Sequence, residues 1–167
     1  MFVSLDPISE ADFATIKGLG ETIWRTHYST MISLEQIECM LADRYTPEKL
    51  RRYLNSATCW MDILRIDDVP AGYCSCAHTA KPGEMKLEQL YLLQEHRRKG
   101  LGGFMLRHME NRARSQGLQS IYLQVNKGNR DSIAVYRKFG FTVREEACFD
   151  IGGGFVMDDY VMEKRLG

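Results

Sequence analysis

Apolar residues recur with a helical period in the first third of the chain. This region predicts a short strand around Phe2–Leu5 followed by three helices, each with its own start signal. The predicted N-caps are Ser9, Ser33 and Thr46, and an apolar pair brackets each serine as a hydrophobic staple would. Pro47 follows the third cap, where its missing N–H is harmless because the first helical turn leaves that donor unpaired.

From residue 58 the pattern changes to that of strands. Thr58–Arg65 and Ala71–Thr79 flank an Asp-Asp-Val-Pro turn and predict a hairpin. The later elements are predicted as a strand at Glu84–Leu93, a helix over 101–116 ended by Gly117, a strand at Ile121–Val125, a helix at Asp131–Phe139 ended by Gly140, and strands at Phe141–Asp150 and Phe155–Arg165. The order β-α-α-α-β-β-β-α-β-α-β-β predicts an α/β fold with a mixed sheet of about six to seven strands and helices on its faces.

Composition narrows the class of protein. The chain has 167 residues, 44% of them hydrophobic, and no repeat or linker, so we expect one domain spanning 1–167. Its 22 Lys and Arg balance 22 Asp and Glu, which argues against a general nucleic-acid binder. No apolar run approaches the ~18 residues of a membrane span, and Met1–Asp6 lacks the basic start of a signal peptide. These features predict a soluble, cytoplasmic protein that binds neither nucleic acid nor membrane.

The five cysteines are odd in number and scattered, unlike a secreted disulfide framework. A metal site would need a second close pair or a histidine at ligand spacing, and the sequence offers none. We therefore expect buried packing cysteines and no metal.

Although the formal net charge is zero, acidic and basic residues are concentrated in different segments of the chain. Residues 97–114 carry six Lys or Arg against one acid, and residues 127–138 carry four against one. Residues 1–43 hold seven acids against two bases, and residues 145–163 hold six acids and no base. Acidic segments suit a cationic substrate, and basic segments suit a phosphate-bearing one.

The most informative stretch lies between the predicted strand at Glu84–Leu93 and the helix that follows it. Three cations are succeeded by three glycines within four residues, and then the helix begins. The unpaired N–H groups of a helix start bind anions, and glycines let an oxyanion approach the backbone closely. The pattern predicts a pyrophosphate cradle; the plain alternative is a flexible loop with solvated charges. The cradle consists of Arg97, Arg98, Lys99, Gly100, Leu101, Gly102 and Gly103.

Two common phosphate loops do not match this stretch. A P-loop places its lysine after the glycines, whereas Lys99 precedes them. A dinucleotide fingerprint requires a third glycine where Met105 stands, and it lies in a βαβ unit rather than after antiparallel strands.

Three segments in order resemble the GCN5-related N-acetyltransferase (GNAT) superfamily. Residues 97–102 match its Arg/Gln-x-x-Gly-x-Gly/Ala signature, residues 129–141 resemble its Asn-x-x-(Ala/Ser)-x-x-x-Tyr-x-x-x-Gly-Phe segment, and residues 158–164 resemble its last strand. Near the start, Trp24-x-x-x-Tyr28 and the segment from Ser33 to Leu41 are similar to the PaiA-like branch of polyamine acetyltransferases.

The resemblance implies a fold, a co-substrate and a set of binding residues. The fold would be a mixed, mostly antiparallel sheet flanked by helices, and the co-substrate would be acetyl-CoA. The loop and helix start would hold the pyrophosphate, and the backbone of a splayed fourth strand would pair with the pantetheine arm. The implied strand and α-helix contacts are Leu90, Tyr91, Leu92, Asn129, Ser132 and Tyr136.

Two residues are candidates for proton transfer. Glu88 lies two positions before the expected carbonyl-polarising N–H near Leu90, so a regular strand would place both on one side. We interpret Glu88 as a general base acting through water, or else as an exposed strand carboxylate. Tyr136 is the candidate general acid, because a phenol stays protonated beside a leaving thiolate; the alternative is a packed helix aromatic.

Other polar residues carry two interpretations each. Asn129 and Ser132 suit a helix start as well as a cofactor contact. His96 could touch a phosphate or lie at the surface, and the other three histidines, at 27, 78 and 108, read as structural. Acids near the triple glycine could line an acceptor pocket or be solvated loop ends, namely Asp150, Asp158 and Asp159.

The function expected from the sequence is acetyl-CoA-dependent transfer of an acetyl group directly to a primary amine, with a small cationic amine such as a polyamine as acceptor. Protein N-termini, lysines, aminoglycosides and amino acids remain open as acceptors. A non-catalytic acyl-CoA-binding regulator and a nucleotide-phosphate-binding protein are the rival readings. The resemblance also implies a homodimer formed through the final strands.

Overall fold

The described residues, 1–151 and 153–167, form a seven-stranded sheet in a computed structural model. The strand order is β1-β2-β3-β4-β5-β7-β6, and every neighbouring pair is antiparallel except the parallel pair β4–β5. This confirms the predicted mixed, mostly antiparallel sheet. The strands are β1 (Val3–Pro7), β2 (Cys59–Ile66), β3 (Val69–His78), β4 (Glu84–Leu92), β5 (Ser120–Asn126), β6 (Thr142–Gly152) and β7 (Phe155–Arg165).

The described residues form five α-helices, which begin close to where the sequence predicts them. The Ser33 hydroxyl accepts the Gln36 N–H at 3.1 Å, and the Thr46 hydroxyl accepts the Lys49 N–H at 3.3 Å. Ser9 forms the expected capping box, but this box opens a short 3-10 turn before the first α-helix. None of the described helices is long and apolar enough to cross a membrane. The helices are α1 (Phe13–His27), α2 (Leu34–Leu41), α3 (Pro47–Arg51), α4 (Leu101–Ser115) and α5 (Arg130–Lys138).

The β2–β3 hairpin turns more tightly than its sequence predicts. β2 ends at Ile66 and β3 already begins at Val69, so only Asp67 and Asp68 form the turn. Both have positive φ angles, 50° and 67°. Two successive left-handed residues match the right-handed twist of the flanking strands, and Asp tolerates this conformation better than most residues.

The helices cover both faces of the sheet and create two apolar cores. One core joins α1, α2 and α3 to the sheet, and the other joins α4 and α5 to the opposite face. A buried ion pair ties α4 to β2: the Arg112 guanidinium donates to the Asp62 carboxylate at 2.5 and 3.2 Å. This bond helps to fix α4, whose first turn reaches the cleft described below.

The five cysteines differ in burial, and Cys59 is intermediate. Cys74 and Cys76 are fully buried in the α4–α5 core, as expected of packing residues. Cys39 and Cys148 are exposed, so the prediction of burial is wrong for these two, which lie on α2 and on the outer strand β6.

Candidate active site

β4 and β5 run together for four residues and then separate. Glu84–Leu87 pair with Ser120–Leu123, and no described residue beyond them continues the ladder between the two strands. A cleft of about 600 Å³ opens at this gap and is lined from β4, β5 and both helical layers. The expected splay of these strands is confirmed. It leaves the β4 edge at Leu90–Leu92 facing the cleft without a neighbouring strand.

Glu88 is the extra residue of a β-bulge. Ser75 on β3 pairs with Gln89 and Cys76 pairs with Leu87, so Glu88 has no opposite residue. The Gln89 side chain is held by two buried bonds, accepting from the Tyr45 hydroxyl at 2.9 Å and donating to the Ser75 hydroxyl at 3.1 Å. Bulges re-aim side chains near functional sites, and this one interrupts the alternation of β4 beside the gap.

The bulge overturns the prediction that Glu88 and Leu90 share one side of the strand. Leu90 packs against the α4–α5 core. The Glu88 carboxylate instead contacts residues that follow α3, accepting from Tyr53 at 2.7 Å and from Arg52 at 2.5 Å. Burial and the adjacent Glu88 charge raise the pKa of Tyr53, so the phenol remains a donor to the carboxylate. Glu88 still lines the cleft.

The start of α4 is arranged to receive an anion. Gly100 occupies the N-cap with φ 79°, a left-handed conformation natural to glycine, and no side chain of the described residues caps this helix end. A Cβ on Gly102 would have nothing within 4 Å, so the backbone there faces open space. The first-turn N–H groups and the helix dipole therefore present positive charge to the cleft. This geometry fits a pyrophosphate.

Gly103 has a different reason to be a glycine. A Cβ at this position would lie 2.4 Å from the Phe139 ring, which packs against α4 from the end of α5. The close approach of the two helices therefore depends on the missing side chain.

The predicted basic residues of the loop take separate positions. Arg97 and Arg98 line the cleft, and Arg98 is highly exposed, 3.9 Å from Asp131. Lys99 is exposed and does not line the cleft, and the Leu101 side chain is buried in the core, so both could meet a ligand there only through their backbone or by movement. The remaining predicted contacts all line the cleft: Leu90, Tyr91, Leu92, Gly100, Gly102, Gly103, Asn129, Ser132 and Tyr136.

His27 belongs to the cleft, contrary to its structural interpretation from the sequence. Its Nδ1 accepts from the Arg97 guanidinium at 2.7 Å, which requires a neutral ring because arginine can only donate. Burial and the Arg97 charge lower the pKa of His27 to about 4, although a hydrogen bond with Asn129 opposes this shift. His27 thus joins the end of α1 to the phosphate loop and to α5.

α5 supplies the candidate proton donor. Tyr136 is 8% exposed and lines the cleft, with its ring 5.8 Å from that of Phe141. Burial and the neighbouring Tyr91 raise the pKa of Tyr136, which keeps the phenol protonated. At the start of this helix the Asn129 side chain accepts the Ser132 N–H at 3.4 Å, so Asn129 is a helix cap as well as a cleft residue.

Several cleft residues were not identified from the sequence. The Tyr28 hydroxyl, just after α1, lies 3.5 Å from the Tyr91 hydroxyl on β4. No local sequence pattern links these two residues. Arg107 and Lys138 also line the cleft. The basic excess in 97–114 and 127–138 was the available signal for these two cations.

Asp158 and Asp159 are adjacent on β7 but differ in burial and in charged partners. Asp158 is exposed and pairs with Lys127 at 3.0 Å, as a solvated loop end would. Asp159 is buried, and burial together with Asp158 raises the pKa of Asp159 to about 6.

The sequence matches one known protein family and, over almost its whole length, one curated acetyltransferase. The model of the Acetyltransferase (GNAT) family matches residues 21–141. The chain is 27% identical to the spermidine N(1)-acetyltransferase of Thermoplasma acidophilum, over 99% of this chain and 98% of that protein.

Solved structures show the same fold. The PaiA N-acetyltransferase of Thermoplasma acidophilum in complex with coenzyme A superposes with a TM-score of 0.85 at 24% identity, covering 99% of both chains. Arabidopsis thaliana Naa50, in complex with a bisubstrate analogue, gives a TM-score of 0.71 at 21% identity, covering 98% of this chain and 99% of that one. The family match spans well over half of the sequence and includes the splayed strands and the start of α4. This chain belongs to the GNAT family of N-acetyltransferases.

Proposed function

We propose that this enzyme moves an acetyl group from acetyl-CoA directly to a primary amine of a small cationic acceptor such as a polyamine. One observation carries the proposal. The gap between β4 and β5 connects the uncapped, basic start of α4 with Glu88 on one strand and Tyr136 on a facing helix. A phosphate-binding end and a proton-transfer end thus share one cleft.

Acetyl-CoA supplies the activated thioester. Its pyrophosphate would be held by the first-turn N–H groups at Leu101–Gly103 and by the cations before them, of which Arg97 and Arg98 line the cleft. The exposed β4 edge at Leu90–Leu92 offers backbone groups to the pantetheine arm, as a neighbouring strand would use them. Asn129 and Ser132 provide polar contacts beside this edge.

One step of the reaction is assigned to a backbone N–H and two proton transfers to side chains. An N–H near Leu90 polarises the thioester carbonyl, because a donor already fixed in position stabilises developing negative charge without having to reorient as water would. Glu88 accepts the proton of the attacking amine through water. Tyr136 donates a proton to the leaving thiolate; burial raises the pKa of Tyr136, so the phenol is protonated before the transfer.

The choice of acceptor rests on charge and on one relative. Acidic residues dominate 1–43 and 145–163, whose elements include α1, α2, β6 and β7. The Thermoplasma relative named as a spermidine acetyltransferase matches over almost the whole chain, including these acidic segments. A small polycation complements such a surface.

We also propose a domain organisation, an oligomeric state and a cellular location for the enzyme. Residues 1–167 would act as one domain, because the sheet and the α4–α5 core draw on residues from both ends of the chain. A homodimer would form through β6 and β7, where β6 is the outer strand and Val143 and Val156 are exposed. The five unpaired cysteines are typical of a reducing compartment, which favours the cytoplasm.

The proposal is tested by measuring thiol release from acetyl-CoA with an acceptor panel. The panel comprises diamines, polyamines, an aminoglycoside, amino acids, and peptides with a free N-terminus or a lysine. The expected result is the fastest release with diamines or polyamines. Faster turnover of peptides would make the enzyme a protein acetyltransferase, and CoA binding without release on any amine would identify a regulator. Tight ATP or NAD binding with indifference to CoA would indicate a nucleotide-binding protein.

A further inference from the structure

Asp159 is the one buried carboxylate of the described residues that has no cationic partner within hydrogen-bonding distance. Three acids are buried in the described chain. Asp62 is bound by Arg112, and Glu84 accepts from Thr79 at 3.0 Å and from Arg144 at 3.2 Å. Asp159 is 6% exposed, and its Oδ1 has no hydrogen-bond partner among the residues that the structure describes. An unpaired buried charge is costly, so its retention calls for a compensating ligand.

Asp159 lies on the same face of the sheet as the contacts of Glu88. It lies on β7 and pairs with Asn126, the last residue of β5, in the part of β5 that is no longer paired with β4. The next residue, Tyr160, packs against the α4–α5 core, so Asp159 points to the opposite face of the sheet. Glu88 also makes its contacts on that face.

The spacing between the two acids suits a molecule with two charges. β5 lies between β4, which carries Glu88, and β7, which carries Asp159. Paired strands are about 4.8 Å apart, and β4 diverges from β5 at the gap, so the two backbones are separated by at least about 10 Å. A flexible diamine can therefore place one nitrogen at the gap and the other beside Asp159.

The local charges agree with this assignment. Lys86 is the cation that acts on Asp159 from a distance, while the adjacent Asp158 repels it. The raised pKa of Asp159, about 6, still leaves the carboxylate ionised at pH 7.5. The neighbouring Asp158 has its charge satisfied by Lys127 and makes a matched control.

We infer that Asp159 binds the ammonium group of a diamine or polyamine acceptor that is not acetylated, and so selects acceptors with a second positive charge. The inference rests on the proposed function, because it assigns a subsite for that same acceptor. It also explains why a carboxylate without its own cation persists in a folded domain, since binding sites commonly sacrifice stability in this way.

The test compares 1,4-diaminobutane with butylamine, which lacks only the second ammonium group. Asp159→Asn should raise the KM for the diamine by at least about 30-fold, as expected when one partner of a buried charged pair is lost, and leave the KM for butylamine within about twofold. Asp158→Asn should change neither value. Equal losses for both amines, or no loss in Asp159→Asn, would overturn the inference while the acetyltransferase function stands.

Two further measurements separate the remaining outcomes. The melting temperature of Asp159→Asn should equal or exceed that of the unmodified protein, whereas Asp62→Asn should melt lower because its Arg112 would lose a partner. A fall for Asp159→Asn as large as that for Asp62→Asn would assign Asp159 a structural role. If no amine is turned over, calorimetric titration of 1,4-diaminobutane into the CoA-bound protein decides the matter: binding lost in Asp159→Asn alone supports the subsite, and absence of binding to the unmodified protein overturns it.

Discussion

The Tyr53 hydroxyl donates a hydrogen bond of 2.7 Å to the Glu88 carboxylate. The bond joins the chain after α3 to the bulge in β4, 35 residues apart in sequence, and it fixes the direction of Glu88 at the mouth of the gap. Arg52 holds the other oxygen at 2.5 Å. A carboxylate held from two sides can orient a water molecule with little conformational freedom lost at the moment of reaction.

Glu88→Gln should lower kcat by about 100-fold or more if Glu88 is the general base. The loss should be greatest at low pH, where fewer amine molecules are already deprotonated. The pH–rate profile measures this directly. A variant whose profile has the shape of the unmodified enzyme's would show that another group, or the solvent, removes the proton.

Tyr53→Phe should lower kcat by about 3- to 10-fold with the KM for acetyl-CoA unchanged. This range corresponds to the net free energy of one hydrogen bond, and Tyr53 positions Glu88 without touching the thioester. The effect should vanish in the Glu88→Gln background, since the bond then no longer orients a base. An equal loss in both backgrounds would assign Tyr53 to packing instead.

Tyr136→Phe should reduce kcat by about 100- to 10,000-fold, the range typical of a lost general acid. The ring contact with Phe141 remains, so the fold and CoA affinity should be retained. Steady-state kinetics and calorimetry with CoA check the two parts separately. Turnover equal to that of the unmodified enzyme would reassign Tyr136 to packing against the co-substrate.

Alanine at two adjacent glycines of α4 should have opposite consequences. Gly102→Ala places its methyl group in open space, so it should weaken CoA binding while stabilising the helix by up to about 1 kcal/mol. Gly103→Ala forces a methyl group against the Phe139 ring and should lower the melting temperature. Chemical denaturation and CoA titration of both variants provide the comparison. Unchanged CoA affinity in Gly102→Ala would place the pyrophosphate elsewhere.

His27 should make the folded state less stable as the pH falls from 6.5 towards 4. The pKa of His27 is lowered to about 4 in the folded protein, so the unfolded chain binds a proton in this window that the native state refuses. His27→Gln can still accept from Arg97 but lacks this titration. The stability of His27→Gln relative to the unmodified protein should therefore rise as the pH falls through the window. Parallel pH–stability curves for the two proteins would contradict the buried, neutral assignment.

Local signals in the sequence predicted most of the fold. The caps at Ser33 and Thr46 and the glycines that end α4 and α5 act within a few residues, so their consequences are visible without tertiary context. The phosphate loop is equally local, because its cations and glycines are contiguous.

The errors at the candidate site concern relationships between residues far apart in the sequence. A regular strand would align Glu88 with Leu90, but the buried bonds of Gln89 to Tyr45 and Ser75 accompany a bulge that no local pattern announces. His27 meets Arg97 from 70 positions away for a similar reason: α1 ends where the phosphate loop passes. Asp158 and Asp159 are adjacent in sequence, and only the two faces of β7 distinguish the solvated acid from the buried one.

The most direct measurement is spermidine-dependent thiol release from acetyl-CoA by the unmodified enzyme and by the Glu88→Gln/Tyr136→Phe double variant. Release by the unmodified enzyme, together with its loss in a double variant that still binds CoA, is the predicted result. Undiminished release by the double variant, or CoA binding with no release on any amine by the unmodified protein, would contradict the placement of acetyl transfer at the gap between β4 and β5.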